Sequence, residues 1–405
     1  MSDTAAPEVY YDPYDFGIDD DPYPIWKALR DDHPLYYNEK FNFYALSRFR
    51  DVEAALKDWQ TLSSAKGTLL ELIKADIEMP PGTIIFEDPP NHTLHRGLLS
   101  RVFTPRRMAA IEPEVRAFCA RSLDPLVGAD GLDVIADLGA QVPMRTIGML
   151  LGIPESDQVA LRDQIDGGLK LAEGEMPTIS EGFGAMSMTE QFEEYIDYRY
   201  KNPSDDVMTD LITAEYEDLD GVYRRLTREE ALNYINLVAA AGNETTNRLI
   251  GWSTRLLSDH PGEREIVVSD PSIVPNMIEE VLRYESPSPV QARYVTRDVE
   301  YHGTTVPAGS AMLLLNGSGN RDERVFDDLD RFDVRRNVAH HLAFGHGIHF
   351  CLGAALARLE GRVAMQELLA RFPNFHVDDS VAKRGRTSTV RGWESLPIVI
   401  DRTAS

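Results

Sequence analysis

Cysteine is scarce in this chain, with two residues among 405. Two thiols cannot build a disulfide framework, so the fold must rest on an apolar core. No run of about 18 uninterrupted apolar residues occurs, and the opening MSDTAAPEVYYDPYDFG has neither the basic nor the apolar stretch of a secretory leader. A cytoplasmic protein with no membrane anchor is expected. Positive charge is also short: a formal net charge of −25 would repel nucleic acid and anionic lipid. Small-molecule or protein partners are expected instead. No Pro/Gly/Ser-rich linker, low-complexity run or repeat divides the chain, so residues 1–405 read as one domain, although length alone would suggest more. H-E-x-x-H and G-x-S-x-G are missing. NGSGNRDE lacks the third glycine and the βαβ surroundings of a dinucleotide loop.

What the chain does hold is the composition of a globular protein, 43% hydrophobic and 26% charged residues. Near the start, DPYPIWKALRDDHP reads as a short helix, the alternating LYYNEKFNFYAL as a strand hairpin and RDVEAALKDW as another helix. An irregular segment is expected from Leu62 to Asp88. Helical periodicity then runs from Pro90 to about Glu285, broken at GADG, GIPESD, NPSDD and EDLDG. The stretch RYVTRDVEYHGTTVPAGSAMLLLNGS is rich in strand signals. A polar meander then leads to a glycine-broken loop and the helix CLGAALARLEGRVAMQELLARF, and ESLPIVI reads as a last strand.

The two cysteines differ in setting. Cys119 lies in the apolar helical run VRAFCARSLDPL and reads as a core thiol. Cys351, in AHHLAFGHGIHFCLGAALARLEG, stands at the mouth of an alanine- and leucine-rich helix, where the positive helix end and unpaired N–H groups favour a thiolate. Gly345, Gly347 and Gly353 allow a sharp turn and the close approach of something flat. Three readings are open on these grounds: a buried thiol at a helix start, a zinc site with His340, His341, His346 or His349, and a ligand to another metal. The zinc reading lacks the usual paired-ligand spacing.

Taken whole, FGHGIHFCLG resembles the haem-binding loop of the cytochrome P-450 superfamily in Phe344, Gly345, Gly347, His349, Cys351 and Gly353. The resemblance implies that Cys351 is the axial thiolate of haem b, that Phe344 packs beside its sulfur and that His349 reaches a haem propionate. A thiolate pushes electron density onto iron and favours O–O cleavage. Further family motifs follow in order between about Asp20 and Ile398. DPPNHTLHRGLLSRVFTP, with His92 and Arg96 four apart, is similar to the helix that crosses above the propionates. Arg293, in VQARYVTRDVEYHG, matches the arginine that enters from the strand region. Either feature alone would mean only a solvated charge. IEEVLRYESP carries Glu280 and Arg283 of the family's buried E-x-x-R pair, which Arg335 of RFDVRR is expected to join. The segment TREEALNYINLVAAAGNETTNRLIGWSTRLLSDH reads as a helix of about thirty residues, with Gly242 and the Thr245-Thr246 pair opening its middle. Its AGNETT is similar to the oxygen-activating motif, which puts Glu244 and Thr245 on the acid–alcohol pair and Ala241 and Gly242 where O2 needs room.

The resemblance implies a mainly α protein with the cytochrome P-450 fold, a large helical domain with a smaller β-rich region. It implies a bacterial-type haem-thiolate monooxygenase that inserts one atom of O2 into an organic substrate. A peroxide-driven peroxygenase and a non-catalytic haem-binding sensor are the alternatives, and the intact Glu244-Thr245 pair speaks against both. A small apolar substrate is expected, because the segments that the family places round its pocket bring Ile84, Ile85, Phe86, Met186, Met188, Leu237 and Val238 together. Electrons are expected from a ferredoxin with its ferredoxin reductase. Its docking surface would be Arg101, Arg106, Arg107 and Arg116 with Arg335, Arg336, Arg358 and Arg362. The enzyme is expected to act as a monomer.

Overall fold

The alternation of LYYNEKFNFYAL produces the expected hairpin in a computed structural model that describes residues 9–401 apart from 102, 159, 161–170, 178–188 and 389. β1 (Leu35–Asn38) and β2 (Phe43–Leu46) pair antiparallel, with Leu35 opposite Leu46, and α1 (Phe49–Lys57) follows. The segment 62–88, expected to be irregular, instead holds β3 (Leu62–Ser63), a helix at Leu70–Ala75 and a tight turn at Ile84–Phe86. β3 exists only through its partners Val295 and Tyr294, far along the chain. These belong to β4 (Gln291–Val295), which with β5 (Ala311–Leu314) completes a sheet in the order β1-β2-β5-β4-β3. β5 runs parallel to β2 and antiparallel to β4.

The helices that bound the site are α2 (Asn91–Ser100), α4 (Val142–Leu151), α5 (Arg228–Asp259), α6 (Val274–Tyr284) and α7 (Ala354–Arg371), with α3 (Glu112–Leu123) packed against α7. The helical stretch is interrupted by more than turns, since EDLDG closes a hairpin between Glu215–Glu217 and Tyr223–Arg225 that a Glu215–Arg225 ion pair bridges. A further hairpin, β6 (Lys383–Arg386) with β7 (Arg391–Ser395), lies against α5.

A capping box starts α5: the Thr227 side chain accepts from the Glu230 N–H, and the Glu230 carboxylate accepts from the Thr227 N–H at 2.8 Å. Apolar residues on several of its faces then bury it among the other helices. Leu249, Ile250 and Leu256 share one core cluster with Met277 and Val281 of α6, Val363 and Leu368 of α7, and Cys119 of α3. Cys119 is fully buried, and burial pushes its thiol up to about 12, so it is inert packing as expected.

The middle of α5 does not open. The helix is continuous through Gly242 and Thr245, and the Thr245 hydroxyl donates to the Ala241 carbonyl at 2.9 Å, adding a bond one turn back without breaking the ladder. Gly242 marks a close helix crossing: a Cβ there would stand 2.9 Å from the Ile147 side chain of α4.

Candidate active site

A cavity of about 340 Å³ lies between α5 and the turn that leads into α7. Ala241, Gly242, Thr245 and Thr246 form one wall, and Phe344, Cys351 and Gly353 form the opposite one. The turn is held tightly. Gly345 and Gly347 have φ of 67° and 70°, and a Cβ on Gly347 would lie 2.6 Å from the Leu56 carbonyl of α1, so only glycine fits there. The Cys351 N–H closes the loop onto the Phe344 carbonyl at 2.9 Å. Phe344 is buried under the Arg358 guanidinium, 4.6 Å above its ring. Burial pushes the Cys351 thiol up, while the Gly353 N–H and the charges of Arg96 and Arg358 pull it down. A sulfur in such a setting ionises readily only when it faces a cation.

At one edge of the cavity four basic side chains converge. Arg96 and His349 line it, and the His92 ring stands 4.4 Å from that of His349. Arg293, fully buried on β4, is pulled down to about 10 by that burial, and His349 is pulled down to about 2, first by burial and then by Arg293 and His92. Both ring nitrogens of His92 and Nε2 of His349 are buried with no hydrogen-bond partner. Among the described residues Arg293 donates only to the Ala292 carbonyl and the Gln291 side chain, and Arg96 to the Phe350 carbonyl. Among the described residues no carboxylate forms an ion pair with any of the four. Orphaned donors cost free energy, and a ligand bearing carboxylates removes that cost. The cavity, the thiol in its wall and this anion-seeking edge fit a haem.

The other expected residues fall in two groups. Glu280 and Arg283 are fully buried and doubly bonded at 2.7 and 2.8 Å. Their third member is Arg336, whose Nε reaches Glu280 at 3.1 Å, and not Arg335, which is exposed. The tight turn closed by the Arg336 N–H on the Asp333 carbonyl sends the later arginine inward. Thr245 lines the cavity, but Glu244 beside it is buried in an ion pair with Arg248, one turn on, at 2.9 Å. Arg248 is seated in a slot between paired strands: a Cβ on Gly385 or Gly392 would come within 2.9 or 2.7 Å of its side chain, and it donates to the Trp393 carbonyl. Of the expected apolar walls, Ile84, Ile85, Leu237 and Val238 line the cavity; Phe86 is buried outside its lining, and Met186 and Met188 lie outside the described residues.

One residue escaped the sequence reading. Glu360 on α7 lines the cavity, is 1% exposed and has an oxygen with no hydrogen-bond partner. Burial pushes it up to about 8, against the hydroxyls of Thr146 and Thr246. Its signal was positional: Glu360 takes an apolar place in the stripe Leu356, Leu359, Val363, Ala364 of an inward helix face.

Comparison with known proteins agrees with this geometry. The family model described as Cytochrome P450 matches residues 269–390. The putative cytochrome P450 123 of Mycobacterium tuberculosis is 38% identical over 397 residues, 97% of this chain and 98% of the relative. Vitamin D(3) 25-hydroxylase of Pseudonocardia autotrophica is 33% identical over 389 residues, 94% of each chain. The crystal structure of CYP109E1 from Bacillus megaterium in complex with testosterone superposes with a TM-score of 0.87 at 28% identity, covering 95% of this chain and 99% of that one.

Proposed function

The chain belongs to the cytochrome P450 family of monooxygenases, which work with haem b and O2, and we propose that Cys351 is the ligand of its haem iron, with His92, Arg96, Arg293 and His349 holding the propionates. The bound haem supplies the chemistry of oxygen activation. Phe344 shields the sulfur, the Gly353 N–H stabilises its charge, and Ala241 and Gly242 leave room for O2. The observation that carries this reading is the convergence of four basic side chains, none in an ion pair with a carboxylate among the described residues, beside a cavity that holds Cys351.

The substrate is a small apolar organic molecule. The Ile84, Ile85, Leu237 and Val238 wall supports this. So do one relative named for hydroxylating vitamin D(3) and one structural neighbour that holds testosterone. Thr245 keeps a hydroxyl proton at the cavity wall, and Glu244 brings protons from solvent by exchanging Arg248 for water. Glu360, a carboxylic acid held neutral in the same wall, is a second store of protons. Electrons come to a cytoplasmic monomer from a ferredoxin served by its ferredoxin reductase. Arg101, Arg106 and Arg335 are the exposed cations of the expected docking surface. Arg107, Arg116, Arg358 and Arg362 already face Asp210, Glu112 and Glu279, which narrows that surface.

Titration of the haem-stripped protein with hemin tests the assignment. Arg293→Ala and His92→Ala should each weaken haem binding about tenfold or more, the loss of one charge-assisted hydrogen bond. Unchanged haem affinity in both variants would remove the propionate role.

A further inference from the structure

Outside the cavity, one cluster of metal-ligating side chains is assembled from distant parts of the chain. Glu53 stands on α1, and His340 and His346 on the segment that enters the Cys351 turn. His340 Nε2 lies 3.3 Å from a Glu53 oxygen. The two imidazole rings are 5.2 Å apart at 71°, and one ligand atom from each of the three residues lies within 4.8 Å of the others. The other two histidines weighed as ligands from sequence are engaged elsewhere, His341 with Glu279 at 3.2 Å and His349 at the cavity edge.

The spacing is held by backbone, not by surface side chains alone. The turn that carries His346 is pressed onto the end of α1 at Leu56, where no Cβ fits on Gly347. Phe49 meets the His340 ring edge-on at 5.5 Å and restricts its orientation. The cluster is reachable from water: the His340 side chain is 41% exposed and that of Glu53 18%.

We propose that Glu53, His340 and His346 form a second metal site, for a divalent cation of the zinc class, that ties α1 to the Cys351 turn. Two imidazole nitrogens and a carboxylate oxygen are a borderline-soft donor set, and zinc takes such donors at about 2.0–2.2 Å, which puts tetrahedral ligands roughly 3.3 Å apart. The Glu53–His340 separation already has that value. Rotation of the partly exposed His346 ring closes the rest. Three protein ligands leave the fourth position to water, so the site is open and weaker than a closed structural one. Lys57 competes, because its ammonium pairs with Glu53 at 3.1 Å, but it is half exposed and free to swing into solvent.

The test is isothermal titration of the tag-free, haem-loaded protein with zinc chloride. One equivalent should bind per chain, and Glu53→Gln, His340→Ala and His346→Ala should each weaken it at least about tenfold. Lys57→Ala, which removes the competing charge, should tighten it. Because the cation binds the folded state, zinc should also raise the thermal midpoint of the parent protein and not that of His346→Ala. His376→Ala, at an exposed histidine paired with Asp401, controls for adventitious surface binding and should change nothing. No saturable binding to the parent protein, or binding that survives all three ligand substitutions, overturns the proposal.

Discussion

Among the described residues, two buried acid–arginine pairs are formed one turn apart within a single helix, and they differ in how completely they are bonded. In the α6 pair, Glu280 and Arg283 are fully buried; Glu280 also accepts from Arg336 and from the Asp333 N–H, and Arg283 Nη1 donates to the carbonyls of Asn320 and Leu329. In the α5 pair, Glu244 and Arg248 keep 6% and 9% side-chain exposure, Arg248 Nε is buried without a partner, and the neighbouring Thr245 forms the cavity wall. A network in which each group is satisfied yields only at the full cost of an orphaned charge. A pair with a donor unused beside a cavity can exchange partners with water. The closed pair is a structural staple, and the open one is where we propose that protons move.

The largest expected effect comes from breaking the staple. Glu280→Ala leaves two arginines without their carboxylate, bonded only to backbone carbonyls, and should cost about 3–5 kcal/mol in urea unfolding of the haem-loaded protein. An equal loss from Glu244→Ala would erase the distinction between the pairs. At the open pair the effect should fall on chemistry instead. Thr245→Ala should keep haem and substrate binding yet divert reducing equivalents to peroxide severalfold, and Arg248→Ala, by removing the cation paired with Glu244, should change the pH dependence of oxygen consumption. NADH used, peroxide released and product formed, measured together in a ferredoxin-reconstituted assay, separate these outcomes. Full coupling in Thr245→Ala would place the proton route elsewhere.

A smaller effect should sharpen the same contrast at Glu360, a buried acid with no basic partner among the described residues. Its pKa of about 8 stands above the ordinary 4.5, so the folded state holds a proton that the unfolded chain releases. Stability should therefore be fullest below about pH 4.5 and decline as pH rises through 8. Glu360→Gln, neutral throughout, should flatten that decline and be the more stable protein at pH 9. Parallel pH profiles for the two proteins would show that Glu360 is already ionised.

What the sequence could and could not disclose follows from the range of the interactions involved. Cys351, its glycines and the histidine and arginine of α2 were legible because the loop and the helix are local patterns. The long α5 was legible from its period, while its Thr227-Glu230 cap was first seen in the structure. The choice between Arg335 and Arg336 was not, since a turn at Asp333 and the distant carboxylate of Glu280 decide which one points inward. Nor was β3, two residues long and formed only by pairing with β4. Glu360 was hidden among the arginines of α7, because its burial depends on Thr146 and Thr246 from other helices. The Glu244–Arg248 pair sits at an ordinary i,i+4 spacing, and only the Gly385–Gly392 slot shows that its arginine is enclosed.

The most direct measurement is the absorption spectrum of the reduced, CO-bound protein in three forms: parent, Cys351→Ser and Cys119→Ser. Thiolate ligation by Cys351 requires a strongly red-shifted Soret band in the parent and in Cys119→Ser, and its loss in Cys351→Ser. Absence of that band from the parent protein, or its survival in Cys351→Ser, would contradict the assignment of this cavity as a haem-thiolate centre.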